Sequence, residues 1–119
     1  MPVRSSSSSI LKWPDREAVE RALRDWASVA ARQRPDLQRV GYLGSYARGD
    51  WGVGSDLDVV LVLRDATAPF MSRAQEWDLT GLPVPADVLV YSNGEWAKLV
   101  AGTGRFCRVA SEETVWVYP

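Results

Sequence analysis

The sequence predicts an α/β fold: a mixed sheet of about four strands with helices packed mainly on one face. Three observations carry that expectation. Apolar residues at Val19, Ala22, Leu23, Trp26, Val29 and Ala30 recur at helical spacing and mark one long amphipathic helix. Short β-prone runs follow at 37–43, 57–63, 86–91 and 114–118. Glycine- and proline-rich breaks and further helical stretches separate these runs, the alternation expected of layered helices and strands.

Each element has local reasons. Trp13-Pro14-Asp15 starts the first helix, because Pro14 suits a first turn and Asp15 and Glu17 complement the positive end of the dipole. That helix should stop near Gln33 or Arg34, before Pro35. The run 59–63 is apolar at every position, as in a strand buried on both faces. Residues 70–79 read as a short helix with Phe70, Ala74 and Trp77 on one side. Gly81-Leu82-Pro83-Val84-Pro85 then turns the chain into the third strand. Asn93-Gly94 reads as a turn, 95–101 as a helix with Trp96 and Val100 on its apolar side, and 106–110 as its continuation after Thr103-Gly104.

Composition removes several classes of function. At 119 residues the chain is one domain, too short for a catalytic domain plus a separate acceptor domain. We place that domain at 13–119, after a low-complexity lead-in at 1–12 whose serine run at 5–9 reads as disordered. The absence of histidine excludes Ser-His-Asp and Cys-His catalysis and His-ligated zinc. A single cysteine, Cys107, excludes an internal disulfide and fits a cytoplasmic location. No run approaches the ~20 apolar residues that span a bilayer, so no membrane partner is expected. A net charge of −1 gives no electrostatic case for direct nucleic-acid binding.

The chemistry concentrates in the stretch 41–63. Gly44-Ser45 ends a short apolar strand and begins what reads as one helical turn, Ser45-Tyr46-Ala47-Arg48. Glycine admits a ligand close to the backbone, the free N–H groups of a starting turn attract anions, and the Ser45 hydroxyl adds a donor. After a loop carrying three glycines, Asp56 and Asp58 open the second strand. Strand alternation turns both carboxylates to one side. Such a pair repels itself unless a divalent cation intervenes, and carboxylates without His or Cys favour Mg²⁺, with Mn²⁺ as the alternative. A phosphate cradle joined to a metal-binding acid pair points to a nucleoside triphosphate. Asp87 repeats the anomaly of an aspartate entering an apolar strand. Arg48 either reaches a phosphate or pairs with Asp50, and Trp51 either stacks on a base or packs back on the domain.

Gly44-Ser45, ten further residues and Asp56-Leu57-Asp58-Val59 resemble the signature of the DNA polymerase beta nucleotidyltransferase superfamily. The fuller strings Gly-Ser-Tyr-Ala-Arg-Gly and Ser55-Asp56-Leu57-Asp58 are similar to its minimal nucleotidyltransferase branch. The resemblance runs from about Asp15 to the C-terminus. It implies transfer of a nucleoside monophosphate, AMP from ATP, to a hydroxyl acceptor with loss of pyrophosphate. It implies catalytic and metal roles for Asp56, Asp58 and Asp87, two Mg²⁺ ions, and nucleotide-binding roles for Gly44, Ser45, Arg48 and Ser55. It further implies an antitoxin paired with a helical HEPN-type toxin as acceptor. Six tryptophans in so short a chain suggest an apolar surface for such a partner, and a homo-oligomer stays open. The alternatives are an antibiotic or other small-molecule nucleotidyltransferase, a binding module that blocks its partner sterically, and a metal-stabilised domain without catalysis.

Overall fold

A computed structural model of the chain describes residues 13–119. The expected lead-in at 1–12 lies outside the described residues. Helix α1 (Arg16–Gln33) begins where the Asp15 side chain accepts the Ala18 N–H at 2.9 Å. Pro14 therefore precedes the cap instead of occupying the first turn. The helix ends at Gln33, as Pro35 requires. Its buried residues are Val19, Leu23, Ala27 and Ala30, whereas Val29 is 49% exposed. Ala27 follows Leu23 by four residues and Val29 by six, so the 3.6-residue period favours Ala27 for the inner stripe. Val29, expected in that stripe, faces outward.

Four strands form one sheet in the order β3-β2-β1-β4. They are β1 (Leu37–Leu43), β2 (Leu57–Leu63), β3 (Ala86–Ser92) and β4 (Val115–Tyr118). β1 runs antiparallel to β2 and β4, and β2 runs parallel to β3, so the sheet is mixed as expected. Val59, Leu61 and Leu63 of β2 share a core with Val19, Leu23 and Ala27 of α1. Val60 and Val62 enter a second core with Trp96 of α4 (Asn93–Ala101) and Ala110 of α5 (Arg105–Glu113). The helices thus divide between the two faces rather than gathering mainly on one. That is why β2 is apolar at every position from Val59 onward: neither of its faces meets water.

The parallel β2–β3 pair needs a crossover, and the sequence reading of it requires correction. The helix expected over 70–79 stops early. α3 (Phe70–Arg73) is one turn, a 3₁₀ turn covers Ala74–Glu76, and Trp77 is already extended at φ −122°, ψ 132°. Its expected inner side was Phe70, Ala74 and Trp77, yet the buried residue is Arg73, 6% exposed. The Arg73 guanidinium donates five hydrogen bonds, to the carbonyls of Ala66, Ala68 and Val90 and to both Glu95 carboxylate oxygens. It ties the crossover to β3 and to the start of α4.

Asn93-Gly94 is also not a turn between elements, because it forms the first turn of α4. Ser92 accepts the Glu95 N–H at 3.1 Å and Glu95 accepts the Ser92 N–H at 2.8 Å, closing a capping box. The tryptophans do not make the apolar surface they suggested. Trp26 donates to the Asp78 carbonyl, Trp51 stacks on Tyr46 at 5.5 Å between ring centroids, and Trp96 and Trp116 meet edge to face. Among the described residues the exposed large apolar side chains are Val29, Val53, Phe70, Met71 and Phe106.

Candidate active site

Gly44 is where β1 hands over to the helical turn α2 (Ser45–Arg48). Its backbone sits at φ 84°, ψ −151°, a region that residues with a Cβ scarcely enter. A Cβ placed there would also strike the Asp58 Oδ2. Both constraints make glycine the residue for this position. The Gly44 carbonyl accepts the Arg48 N–H at 3.0 Å, which leaves the N–H groups of Ser45, Tyr46 and Ala47 without an intrahelical acceptor. The Tyr46 ring is fully buried, with its hydroxyl between Trp13 Nε1 and the Pro14 carbonyl, so the turn is anchored to the start of α1.

Register brings the acids together. Asp58 is opposite Leu43 on β1 and opposite Asp87 on β3. Adjacent strands lie about 4.8 Å apart, so the Asp58 and Asp87 side chains leave the same face as neighbours. Asp58 is half-buried, while Asp56 and Asp87 are exposed. Burial pushes the Asp58 carboxyl above the usual aspartate range, and the charges of Asp87 and Asp56 push it further, opposed by Arg48. A site that disfavours its own negative charge is chemically suited to a hard divalent cation. Among the described residues, however, no three His, Cys, Asp or Glu side chains are drawn close enough together to hold a metal ion. The fit therefore rests on Asp58 and Asp87, with Asp56 at the rim.

The other sequence candidates are placed as follows. Arg48 Nε donates to Asp50 at 3.2 Å, the pairing weighed against a phosphate role, yet Arg48 stays near enough to act on Asp58. Ser55 Oγ accepts the Gly52 N–H at 2.8 Å and so braces the glycine loop, leaving its own proton free to donate. Trp51 packs back on the domain against Tyr46. Two features had no signal in the residue spacing. Glu113, at the end of α5, lies 3.8 Å from Arg48, with Oε1 buried and without a hydrogen-bond partner. A groove of about 780 Å³ runs beside Asp87, lined by the segment from Trp77 to Pro85 and by Ala86 and Val88.

The nucleotidyltransferase domain family model matches residues 26–117. The chain belongs to that family. This nucleotidyltransferase is similar in fold to a candidate nucleotidyltransferase from Sulfolobus solfataricus. They share 22% identity and a TM-score of 0.62, over 85% of this chain and 80% of that one. A toxin-antitoxin solved with AMP-PNP is 18% identical with a TM-score of 0.54, over 80% of this chain and 72% of that one. A mutant of the toxin-antitoxin MntA-HpeT is 15% identical with a TM-score of 0.51, over 80% and 71%. No curated protein matches the sequence significantly. At these identities the solved structures speak for the fold, and the family match for the class of enzyme. No described helix is long and apolar enough to cross a membrane.

Proposed function

We propose that this nucleotidyltransferase moves AMP from ATP to a hydroxyl of a protein partner, as the antitoxin of a pair with a helical HEPN-type toxin. The observation that carries the reading is the Asp58–Asp87 register with Gly44 packed against Asp58. It sets backbone N–H groups that have no intrahelical acceptor beside two carboxylates, the first suited to phosphate and the second to its counterion. The partner is supported by the similar folds of two toxin-antitoxin proteins.

Asp56 and Asp58 would hold one Mg²⁺, and with Asp87 a second; Mn²⁺ is the alternative. Bound there, the cation offsets carboxylate repulsion and the charge of the triphosphate. In the reaction the acceptor oxygen bonds to the α-phosphorus, the bond from that phosphorus to the β-phosphate bridging oxygen breaks, and pyrophosphate leaves. Without histidine, the hydroxyl proton passes to Asp87 or to solvent. Gly44, Ser45 and Ser55 offer donors to the phosphates, and Arg48 joins them by exchanging Asp50 for a phosphate oxygen.

The test is pyrophosphate release from ATP with Mg²⁺, in the presence and absence of the protein that co-purifies from the native host. Release should require the partner and should vanish in Asp58→Asn. Equal rates in Asp58→Asn and the wild type would overturn the reading. A second reading, inhibition by steric blockade alone, is favoured by the lack of a gathered three-carboxylate group among the described residues. It is the better account if an intact complex transfers no nucleotide with any divalent ion.

A further inference from the structure

β3 is an end strand of the sheet, so one of its edges has no neighbouring strand. Which backbone groups point outward is fixed by one bond. The Leu57 N–H donates to the Pro85 carbonyl at 2.8 Å, so residues 85, 87 and 89 turn their polar groups toward β2 and residues 86, 88 and 90 turn theirs away. The outer side at Val90 is covered, because its carbonyl accepts from Arg73 at 3.0 Å. No loop or turn backbone bond reaches the outward groups of Ala86 and Val88 among the described residues. Folded proteins usually cover, charge or break such an edge. Here it is open only beside Asp87.

We infer that this edge at 86–88 binds the acceptor: an extended segment of the partner adds as a fifth strand, with its hydroxyl residue opposite Asp87. The inference rests on the nucleotidyl-transfer reading and specifies what that transfer accepts. Alternation fixes the sequence of the segment. A residue opposite Asp87 points to the face shared by Asp58 and Asp87, which places its oxygen next to the Asp87 carboxylate, with Asp58 one strand further in. The residues on either side point to the other face, where Trp77, Leu79, Leu82 and Val84 line the groove and pack on the α1 core. The acceptor class is therefore an apolar–hydroxyl–apolar stretch bearing Ser, Thr or Tyr.

Charge adds a second restriction. The charged groups lining the groove are Asp78 and Asp87, with no Lys or Arg among them. A neutral or basic segment complements that wall and an acidic one is repelled. The groove, about 780 Å³ in volume and open to solvent along its length, has room for the side chains that flank the hydroxyl residue. Transfer onto the segment balances as above: the side-chain oxygen gains the α-phosphorus, pyrophosphate carries away the broken bond, and the proton goes to Asp87 or solvent.

The experiment uses the wild-type protein, Mg²⁺, ATP and short synthetic peptides, read by the mass of one added nucleotide and by pyrophosphate release. A peptide with Val-Tyr-Val at its centre should be modified about tenfold faster than one with Asp-Tyr-Asp. Methylating single backbone nitrogens along the first peptide should slow transfer about fivefold or more at every second position only, since only alternate N–H groups face the edge. Equal rates for apolar and acidic flanks, or no period-two pattern, would overturn the inference. Pyrophosphate release onto other hydroxyl compounds while peptides are refused would overturn it and leave nucleotidyl transfer standing. No release with any acceptor would remove both.

Discussion

Gly44 packs its bare Cα against the carboxylate of Asp58, leaving no room for a Cβ between them. The turn proposed to hold phosphate and the acid pair are therefore one contact, not two neighbouring features. Gly44→Ala should lose on both counts: a positive φ costs about 1–3 kcal/mol, and the displaced Asp58 can no longer stand in register with Asp87. Thermal unfolding should show the loss of stability, and calorimetry with Mg²⁺ and ATP the loss of binding. Wild-type ATP affinity in Gly44→Ala would show that the triphosphate lies elsewhere.

Asp58 should make the folded protein sensitive to pH in a definite direction. Its folded pKa is raised, by burial first and then by Asp87 and Asp56. The folded state therefore holds the proton more tightly than the unfolded chain, and stability falls as pH rises from the unfolded pKa through the folded one. Asp58→Asn removes that charge with little change of volume. It should raise the melting temperature of the metal-free protein at neutral pH, and the gain should shrink as pH falls toward the range where Asp58 is protonated. A gain independent of pH would point to packing rather than charge. The same variant should be inactive.

Arg73 is a structural cation, and its partner gives it a pH signature. Glu95 is held down to about 2 by Arg73 first and by the Ser92 N–H second. A lowered carboxylate contributes stability above its unfolded pKa, and the contribution fades as pH falls from ~4.5 toward 2. The Glu95 side chain is 43% exposed, so solvent screens part of the pair. Arg73→Ala should cost about 3 kcal/mol in urea unfolding at pH 7, because it strands the Val90 carbonyl and unpairs Glu95. It should also lose less stability than the wild type on acidification through that window. A cost near zero would mean that the crossover is held by its apolar contacts alone.

Arg48 separates function from folding. Its pair with Asp50 is on the surface, where such pairs scarcely affect stability, and its contact with the buried Oε1 of Glu113 is long at 3.8 Å. Arg48→Ala should leave the melting temperature unchanged and weaken ATP binding several-fold, more strongly at low salt than at high. Unchanged affinity across salt concentrations would assign Arg48 to the loop and not to the phosphates.

These residues also mark how far the sequence could be read. The strands are legible because β2 is apolar on both sides, β1 is followed at once by Gly44, and β3 opens with a pattern-breaking Asp87. Spacing picked out Gly44 and the aspartates that the fold brings together. What spacing could not give is which strand lies beside which: Asp87 becomes a partner of Asp58 only through a parallel pairing across a long crossover. Arg73 stayed hidden because burial of a cation depends on carbonyls contributed by distant segments. The start of α4 was readable, since Ser92 and Glu95 have capping-box spacing, but Asn-Gly is so common in turns that it masked the signal. The tryptophans misled because aromatic residues fill a small core as readily as they form an interface.

β2 holds the site by phase. One strand meets Leu43 on one side and Asp87 on the other at the same residue, Asp58. The connection at 49–55 carries glycines at positions 49, 52 and 54 and ties the two halves. Its length can thus vary without changing the register that sets Asp58 beside Asp87. A single residue inserted ahead of Asp58 in β2 would instead invert every side chain beyond it, burying a carboxylate under α1 and setting valine in its place. Evolution and engineering should find the loop permissive and the strand intolerant, even though both lie beside Asp58.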